Sequence, residues 1–381
     1  MIAPGATLGL LGGGQLGRMF TMAAQSMGYR VTVLDPSGES PAGSVADDHV
    51  CTDYLDPAGL GRLAHLCTAA TTEFENVPAE SLRFLANHCV VSPSAESVAV
   101  AQDRIHEKRF LAENGFAVVP FAVIASARDL NALEEDLFPG ILKVSRLGYD
   151  GKGQHRVAGR DEAGYAFATL GGEPCVLERQ VPLEREVSVI VARSTEGRVA
   201  TFPVAENQHR HGILDVSIAP ARVPEVLAAQ AREIAVKVAA TLDYRGVICV
   251  EIFVLEDGQL LVNEIAPRPH NSGHYTIDAC YTSQFEQQVR VLCGLPLGDT
   301  AMHSPAVMVN LLGDLWRQGD PDWTPVLASP RAKLHLYGKR EARPGRKMGH
   351  CTVLAPDLNA AIAESLAIRG RLRAAAGLEG L

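Results

Sequence analysis

Apolar residues along this chain fall into short runs broken by glycine and proline, and the period of the runs changes from one part of the chain to the next. Residues 6–11 (Ala-Thr-Leu-Gly-Leu-Leu) read as a buried strand running into Gly12-Gly13-Gly14-Gln15-Leu16-Gly17. An apolar helix to about Met27 and a strand from Tyr29 to Leu34 follow, ending at Asp35-Pro36. Another strand spans 66–72 and stops at Glu73. Ser92-Pro93-Ser94 marks a boundary, and a charged helix from Ala101 to Asn114 carries Arg104 and Lys108.

Beyond about Ala117 the pattern turns to strands. Residues 140–144 form one with Lys143 inside it, followed by the three-glycine loop 147–154. Residues 175–181 and 186–191 are further strands, and 199–204 pairs with the second. The polar cluster 206–212, with His209 and His211, ends that run. Val226, Leu227, Ala231, Ile234, Ala235, Val238 and Leu242 recur at helical spacing and predict a core-facing helix. It leads into two apolar runs, 250–255 and 260–264, around Asp257-Gly258, a strong signal for a two-residue hairpin turn. Residues 333–337 predict a strand, 338–350 a basic loop, and an alanine-rich helix starts near Leu358.

With a two-residue turn, Glu256 faces Gln259 and Glu251 falls opposite Glu264, on one face with the pairs Phe253–Val262 and Leu255–Leu260. Paired side chains lie roughly 5 Å apart. Two ionised carboxylates at that distance repel by about 3 kcal/mol at an effective dielectric near 20. A good cross-strand pair returns only about 0.2–1 kcal/mol. A proton or a cation must therefore sit between them, unless the strand ends fray and both acids are solvated. Mg²⁺ on one or two carboxylates plus substrate phosphates fits.

Composition narrows the classes. The 381 residues allow two or three domains, and 47% apolar with 21% charged residues describes a globular protein with real cores. The net charge of −9 argues against a general nucleic-acid or membrane-surface binder. Eight scattered cysteines without a Cys-x-x-Cys pair suit reduced core thiols. No apolar run reaches the roughly 20 residues of a membrane span, and no cleavable leader is visible. A cytoplasmic enzyme is the expectation.

Three readings are open for the glycine turn. Strand, Gly-x-Gly-x-x-Gly, helix, strand and acid match a dinucleotide fingerprint; the glycines could equally serve tight packing, or the helix N-terminus could hold another ligand's phosphate. Gly148-Tyr149-Asp150-Gly151-Lys152-Gly153-Gln154 suits phosphate oxygens, with Lys143 and Lys152 as compact cations, or is a solvent loop. Arg268, His270, Asn271 and His274 crowd the segment after Glu264, a density that folding needs do not explain. The stretch 338–350 is the most basic in an acidic chain and is a solvated loop or an anion pocket.

The strings GGGQLGRM (12–19), GYDGKGQ (148–154), ERQV (178–181), NEIAPRPHNSGH (263–274) and RPGRKMGH (343–350), in this order, resemble the ATP-grasp superfamily and within it the 5-(carboxyamino)imidazole ribonucleotide synthase family of purine biosynthesis. The resemblance covers nearly the whole chain. It implies an α/β and α+β architecture: a Rossmann-like parallel-sheet domain (1–98), an ATP-grasp domain (99–300) with a lid at about 115–182, and a C-terminal α+β domain (301–381). It implies ATP-dependent carboxylation of aminoimidazole ribonucleotide by bicarbonate through carboxyphosphate, with Mg²⁺ or Mn²⁺, in a cytoplasmic homodimer that binds neither nucleic acid nor membrane. Arg104 and Lys143 would contact ATP phosphates under a closing 148–154 loop. Glu178, Arg179, Gln180 and Val181 would form the adenine connection, with Glu186 on the ribose and His209 nearby. Glu251 and Glu264 match the family's metal-binding acids. Asn263 would contact the nucleotide, which a regular ladder does not allow and a bulge would. The glycine turn then serves the imidazole substrate through Gln15, Leu16 and Glu73, with Arg268, His270, Asn271, Lys339 and Arg346 around it and its phosphate. Asp150, Arg268 and Lys339 would carry catalysis, Asp150 by orienting or deprotonating the amine.

Three rivals make different predictions. A formate-dependent glycinamide ribonucleotide transformylase is similar in architecture, although Asn271-Ser272-Gly273 after Pro-His favours the synthase. A nicotinamide oxidoreductase would bind its cofactor at Gly12–Gly17 with Asp35 on the ribose. A nucleotide sensor would have kept the fold without turnover.

Overall fold

A computed structural model of the protein describes residues 1–148 and 152–378. The first unit is a five-stranded parallel sheet ordered Asp48–Val50, Arg30–Leu34, Thr7–Leu11, Ala69–Thr72, Val90–Val91. Its central strands are apolar on both faces because helices cover both. Gln15–Ser26 packs Leu16, Met19 and Phe20 on one side, and Pro57–Leu66 and Ala79–Ala86 pack Leu60, Leu63, Leu82 and Leu85 on the other. Helix Gln284–Leu292, from far along the chain, joins the first side through Phe285, Val289 and Leu292.

The second unit is a four-stranded antiparallel sheet ordered Phe121–Ile124, Cys175–Arg179, Gly140–Val144, Gln154–Val157. Helix Arg160–Thr169 seals its small core with Ala163, Ala166 and Phe167.

The third is a nine-stranded sheet. Its path runs Leu260–Ala266, Gly246–Leu255, Leu183–Arg193, Ala205–Arg210, Ile213–Ala219, Ala306–Leu312, Lys347–Leu354, Ala332–Leu336, with Val199–Thr201 beside Leu183–Arg193. Strand Ala306–Leu312 hydrogen-bonds to Ile213–Ala219, so one sheet crosses residue 300 without a break.

Several local expectations are corrected. The charged helix starts at Arg104 rather than Ala101, because Asp103 caps it by accepting from the Ile105 and His106 amides. A separate helix, Ala95–Ala101, precedes it. The polar cluster 206–212 does not end a run; Ala205–Arg210 is a strand that turns back at His211-Gly212 into Ile213–Ala219. The basic stretch is a loop only to Arg346, since Lys347–Leu354 is a buried strand. Helix Glu225–Thr241 buries Ala228, Ala231, Ala235, Val238 and Ala239, while Val226 is exposed: small residues seat the helix close on the sheet. All eight cysteines are free and six are buried, as reduced core thiols should be. Among the described residues no helix is long and apolar enough to cross a membrane.

Candidate active site

The hairpin Gly246–Leu255/Leu260–Ala266 does not have the expected two-residue turn. Leu255 N–H donates to Gln259 O (2.9 Å) and Gly258 N–H to Leu255 O (2.8 Å), so the loop is Glu256-Asp257-Gly258. Gly258 takes φ +84°, a left-handed conformation that glycine adopts without strain. The extra residue moves the ladder by one: Val254 pairs with Leu260, Phe253 with Leu261 and Ile252 with Val262, not Phe253 with Val262 or Leu255 with Leu260. A bulge beside Asn263 then moves it back, and Glu251 pairs with Glu264.

Helix Arg104–Glu113 holds that bulge from one side. Positions 104, 107 and 108 share a helical face. Arg104 donates to Glu264 Oε2 (2.9 Å), Glu107 accepts from the Ile265 amide, and Lys108 Nζ donates to the Asn263 carbonyl (2.7 Å). Lys108 is fully buried and lies 3.1 Å from Glu178 Oε1, while Lys143 donates to Glu178 Oε2 (2.6 Å). Burial alone would raise Glu178, but Lys108, Lys143 and Arg104 hold it at about 2. The lysine of strand Gly140–Val144 and the acid of Cys175–Arg179 thus reach strand Leu260–Ala266 through one buried ammonium, Lys108.

The two facing acids are not equivalent. Burial, then the charge of Glu264, pushes Glu251 up to about 8. Against its own burial, Arg104 holds Glu264 down at about 2. Burial and its neighbour thus favour a proton on Glu251 and Arg104 favours the charge on Glu264, and a cation can take the proton's place. Two facing carboxylates offer hard oxygens of the kind that Mg²⁺ takes. A softer set, Cys249, Glu251 and His270, also has ligand atoms within 4.8 Å of one another. Burial pushes the Cys249 thiol far up in the metal-free protein, which favours its neutral, core-packed form. Asp278, His335 and His350 meet the same distance, yet the two rings stack in parallel (4.4 Å, 13°), which aims their lone pairs side by side. Asp278–His335 (2.8 Å) and Tyr337–His350 (2.9 Å) hydrogen bonds account for that group.

Other expected nucleotide contacts gather here. His209 Nδ1 lies 2.8 Å from Glu186 Oε2, and this partner raises His209 despite its burial. Arg104 also reaches the Gly148 carbonyl (3.4 Å), Gly153 O accepts from the Val144 amide (2.9 Å), and Gln154 pairs with Lys143 in the ladder. Arg179 is half-buried, Gln180 exposed and Val181 half-buried at the end of their strand; Lys152 is exposed. Tyr149, Asp150 and Gly151 lie outside the described residues.

The glycine turn has its amides already engaged. Glu73 accepts from Gly14 N (2.6 Å) and Gly17 N (2.8 Å), and Asp35 from Gly13 N (2.7 Å) and Tyr54 OH (2.7 Å). A dinucleotide's diphosphate would meet two carboxylates where it needs donors, so the nicotinamide reading fails on charge. Gln15 is half-buried beside this turn and Leu16 packs into the core. Arg268 forms a two-pronged pair with Glu75. Asn271 is buried in a mutual amide pair with Asn310 (2.7 and 3.0 Å). Lys339 Nζ donates to Lys347 O (2.7 Å) and Arg346 to Glu341 O (2.9 Å). His270 is held at its backbone by Gln284, which accepts from its N–H (2.8 Å) and donates to its carbonyl (2.7 Å), and its Nε2 lies 3.5 Å from Glu251 Oε1.

Sequence reasoning missed Glu75, Glu107, Lys108 as a site residue, Gln284 and Asn310. The spacing of Glu107 and Lys108 from Arg104 was a usable signal; Gln284 and Asn310 had none.

Known proteins bear on this geometry. Residues 109–285 match the ATP-grasp domain, 5–102 the ribonucleotide synthetase preATP-grasp domain, and 306–364 the phosphoribosylaminoimidazole carboxylase C-terminal domain. The N5-carboxyaminoimidazole ribonucleotide synthase of Brucella melitensis is 48% identical over 93% of this chain and 98% of its own. That of Bacillus subtilis is 45% identical over 93% of both. The Aspergillus clavatus enzyme, solved with ADP and 5-aminoimidazole ribonucleotide, superposes with a TM-score of 0.88 at 32% identity, over 97% of this chain and 99% of its own. With three matched domains in order and curated relatives nearly half identical end to end, this chain belongs to the N5-carboxyaminoimidazole ribonucleotide synthase family of ATP-grasp ligases.

Proposed function

We propose that this chain carboxylates 5-aminoimidazole ribonucleotide on its exocyclic amine, using bicarbonate and ATP, in purine biosynthesis. The observation that carries the reading is the restored register that sets Glu251 against Glu264, with Arg104, Lys143 and Lys108 around them. A bicarbonate oxygen attacks the γ-phosphorus in line, ADP leaves, and carboxyphosphate forms. Arg104 and Lys143 neutralise the transferring phosphates, which is most of what such a step needs from a protein. Glu251 and Glu264 would hold Mg²⁺, which supplies further charge neutralisation when bound. The amine then attacks the carboxyl carbon of carboxyphosphate, phosphate leaving with the C–O bond electrons, or attacks CO₂ released from carboxyphosphate in the pocket with the same loss of phosphate; on either route the amine's proton is lost.

Arg268, braced by Glu75, would hold the bicarbonate-derived oxygens. Gln15, Lys339 and Arg346 contact the imidazole ribonucleotide, while Glu73 and Asn271, engaged with the turn amides and Asn310, shape its pocket. Asp150 remains the proposed partner of the amine. A homodimer working in the cytoplasm fits the relatives' metabolic role. The deciding experiment is ADP release with each substrate omitted in turn. Release should require aminoimidazole ribonucleotide and bicarbonate; equal release with formate and glycinamide ribonucleotide would reassign the chain to the transformylase.

A further inference from the structure

Beneath the pocket, three strands of the large sheet carry buried polar side chains that the reaction above does not use. Ser217 Oγ donates to Asn207 Oδ1 (2.9 Å), Asn207 Nδ2 to Ser188 Oγ (2.9 Å), and Ser188 Oγ to Ser272 Oγ (2.8 Å). Ser272 Oγ lies 2.9 Å from His270 Nδ1. Ser188, Ser217 and Ser272 are completely buried and Asn207 nearly so, so no solvent competes for these links.

The chain has a direction, and an amide is what sets it. The Asn207 NH₂ can only donate, so Ser188 must accept from it and pass its own proton to Ser272. Ser272, accepting from Ser188, has its hydroxyl proton for His270 Nδ1 (2.9 Å), a nearer and better acceptor than the neutral Cys249 Sγ at 3.9 Å. A second donor points at the same atom: the Ser272 backbone N–H lies 3.4 Å from Nδ1. A nitrogen approached by two donors is the unprotonated one, and a neutral imidazole then keeps its proton at Nε2. That atom faces Glu251 Oε1 at 3.5 Å.

We propose that Asn207 dictates the tautomer of His270, acting through Ser188 and Ser272, and thereby presents an Nε2–H donor to the carboxylate pair. Asn207, Ser188 and Ser272 are positioning residues; under the proposed function, His270 is the group that would face the reacting ligands. In this state the imidazole orients Glu251 or a bicarbonate oxygen by donating, and it has no lone pair at Nε2 with which to take the amine's proton. Base chemistry falls to another group. Turning the Asn207 amide by half a turn would reverse every link and put the proton on Nδ1, so the two arrangements are mutually exclusive.

The test is the ¹⁵N spectrum of histidine-labelled full-length protein, with the His270 signals assigned by their loss in His270→Gln. The wild type should show a protonated nitrogen at Nε2 and an unprotonated one at Nδ1; the opposite assignment overturns the proposal. Asn207→Asp replaces the donor by an acceptor-only carboxylate, so Ser188 turns towards it, Ser272 turns towards Ser188, and His270 should switch to Nδ1–H. Ser188→Ala, which interrupts the chain without adding charge, should give a mixture of both forms. A tautomer unmoved in both folded variants also overturns it. The kinetic arm rests on the proposed function: Asn207→Asp should lower carboxylation turnover by at least about tenfold, with the KM for ATP unchanged. The spectra read the tautomer whatever reaction the protein carries out, so failure of the assigned activity and failure of the relay are distinguishable.

Discussion

Glu251 faces Glu264 across the hairpin only because two irregularities offset each other. A turn of three residues instead of two shifts the ladder by one, and the bulge at Asn263 shifts it back. With either one alone the acids would fall out of register. Arg104, Glu107 and Lys108 all bind to the bulge or to its neighbours.

The two acids should respond differently to replacement by a neutral isostere. Glu251→Gln replaces a carboxyl already pushed towards its neutral form by a neutral isostere, so the melting temperature at neutral pH should hold. Glu264→Gln leaves Arg104 without its charged partner and should cost about 1–3 kcal/mol. Both should lose turnover by at least about 100-fold. Thermal melts alongside ADP-release rates check this; equal destabilisation by the two variants would contradict the asymmetry.

Glu178 gives a pH signature. Its folded value near 2 lies below the ordinary 4.5. The stabilisation is therefore complete above pH 4.5 and is lost as pH falls from 4.5 towards 2. Glu178→Gln strands the buried Lys108 and should cost about 3–5 kcal/mol at neutral pH. Urea unfolding of both proteins should show the gap closing steadily below pH 4.5. A gap that persists at the acid end would mean that the ion pairs are not its origin.

Most of this architecture was legible in the residue pattern, and the failures have physical causes. Continuous apolar runs placed the strands Thr7–Leu11, Arg30–Leu34 and Gly140–Val144, since strands buried on both faces need no alternation. Residues 206–212 misled because the strand Ala205–Arg210 points polar groups, Glu206 and Asn207 among them, into a buried network rather than into solvent. Asp257-Gly258 suggested the shorter turn, and nothing local announces that the Asp257 side chain accepts from the Gln259 amide instead. The acids' pairing was inferred correctly from a register that was wrong in between. Asn271 showed its polarity but not its partner, because Asn310 lies 39 residues away on another strand.

Metal binding should release protons. Glu251, pushed up to about 8 by burial and by Glu264, holds a proton at neutral pH that an incoming cation must displace. The metal-free protein should lose stability as pH rises from 4.5 through 8, and Mg²⁺ affinity should increase over that range and level off above it. Titration calorimetry of Mg²⁺ with ADP present, in phosphate and in Tris, should give heats differing by the ionisation heat of about one proton. Identical heats in the two buffers would show that no proton is displaced.

The glycine turn should prove selective against nicotinamide cofactors for a reason that mutation can expose. A Cβ at Gly14 would stand 2.4 Å from Glu73 Oε1, and one at Gly13 would stand 2.7 Å from Asp35 Cγ. Gly14→Ala must therefore push the Glu73 carboxylate off the Gly14 and Gly17 amides, leaving buried donors unpaired at a cost of about 1–3 kcal/mol. Glu73→Gln is milder, because the amide oxygen can still accept from one glycine while its NH₂ opposes the other. Melting temperatures should fall in the order wild type, Glu73→Gln, Gly14→Ala, and NADH fluorescence titration should show no saturable binding to the wild type. Saturable NADH binding that Glu73→Gln strengthens would mean that the turn amides are available to a diphosphate after all, and the carboxylates' hold on them would have to be abandoned.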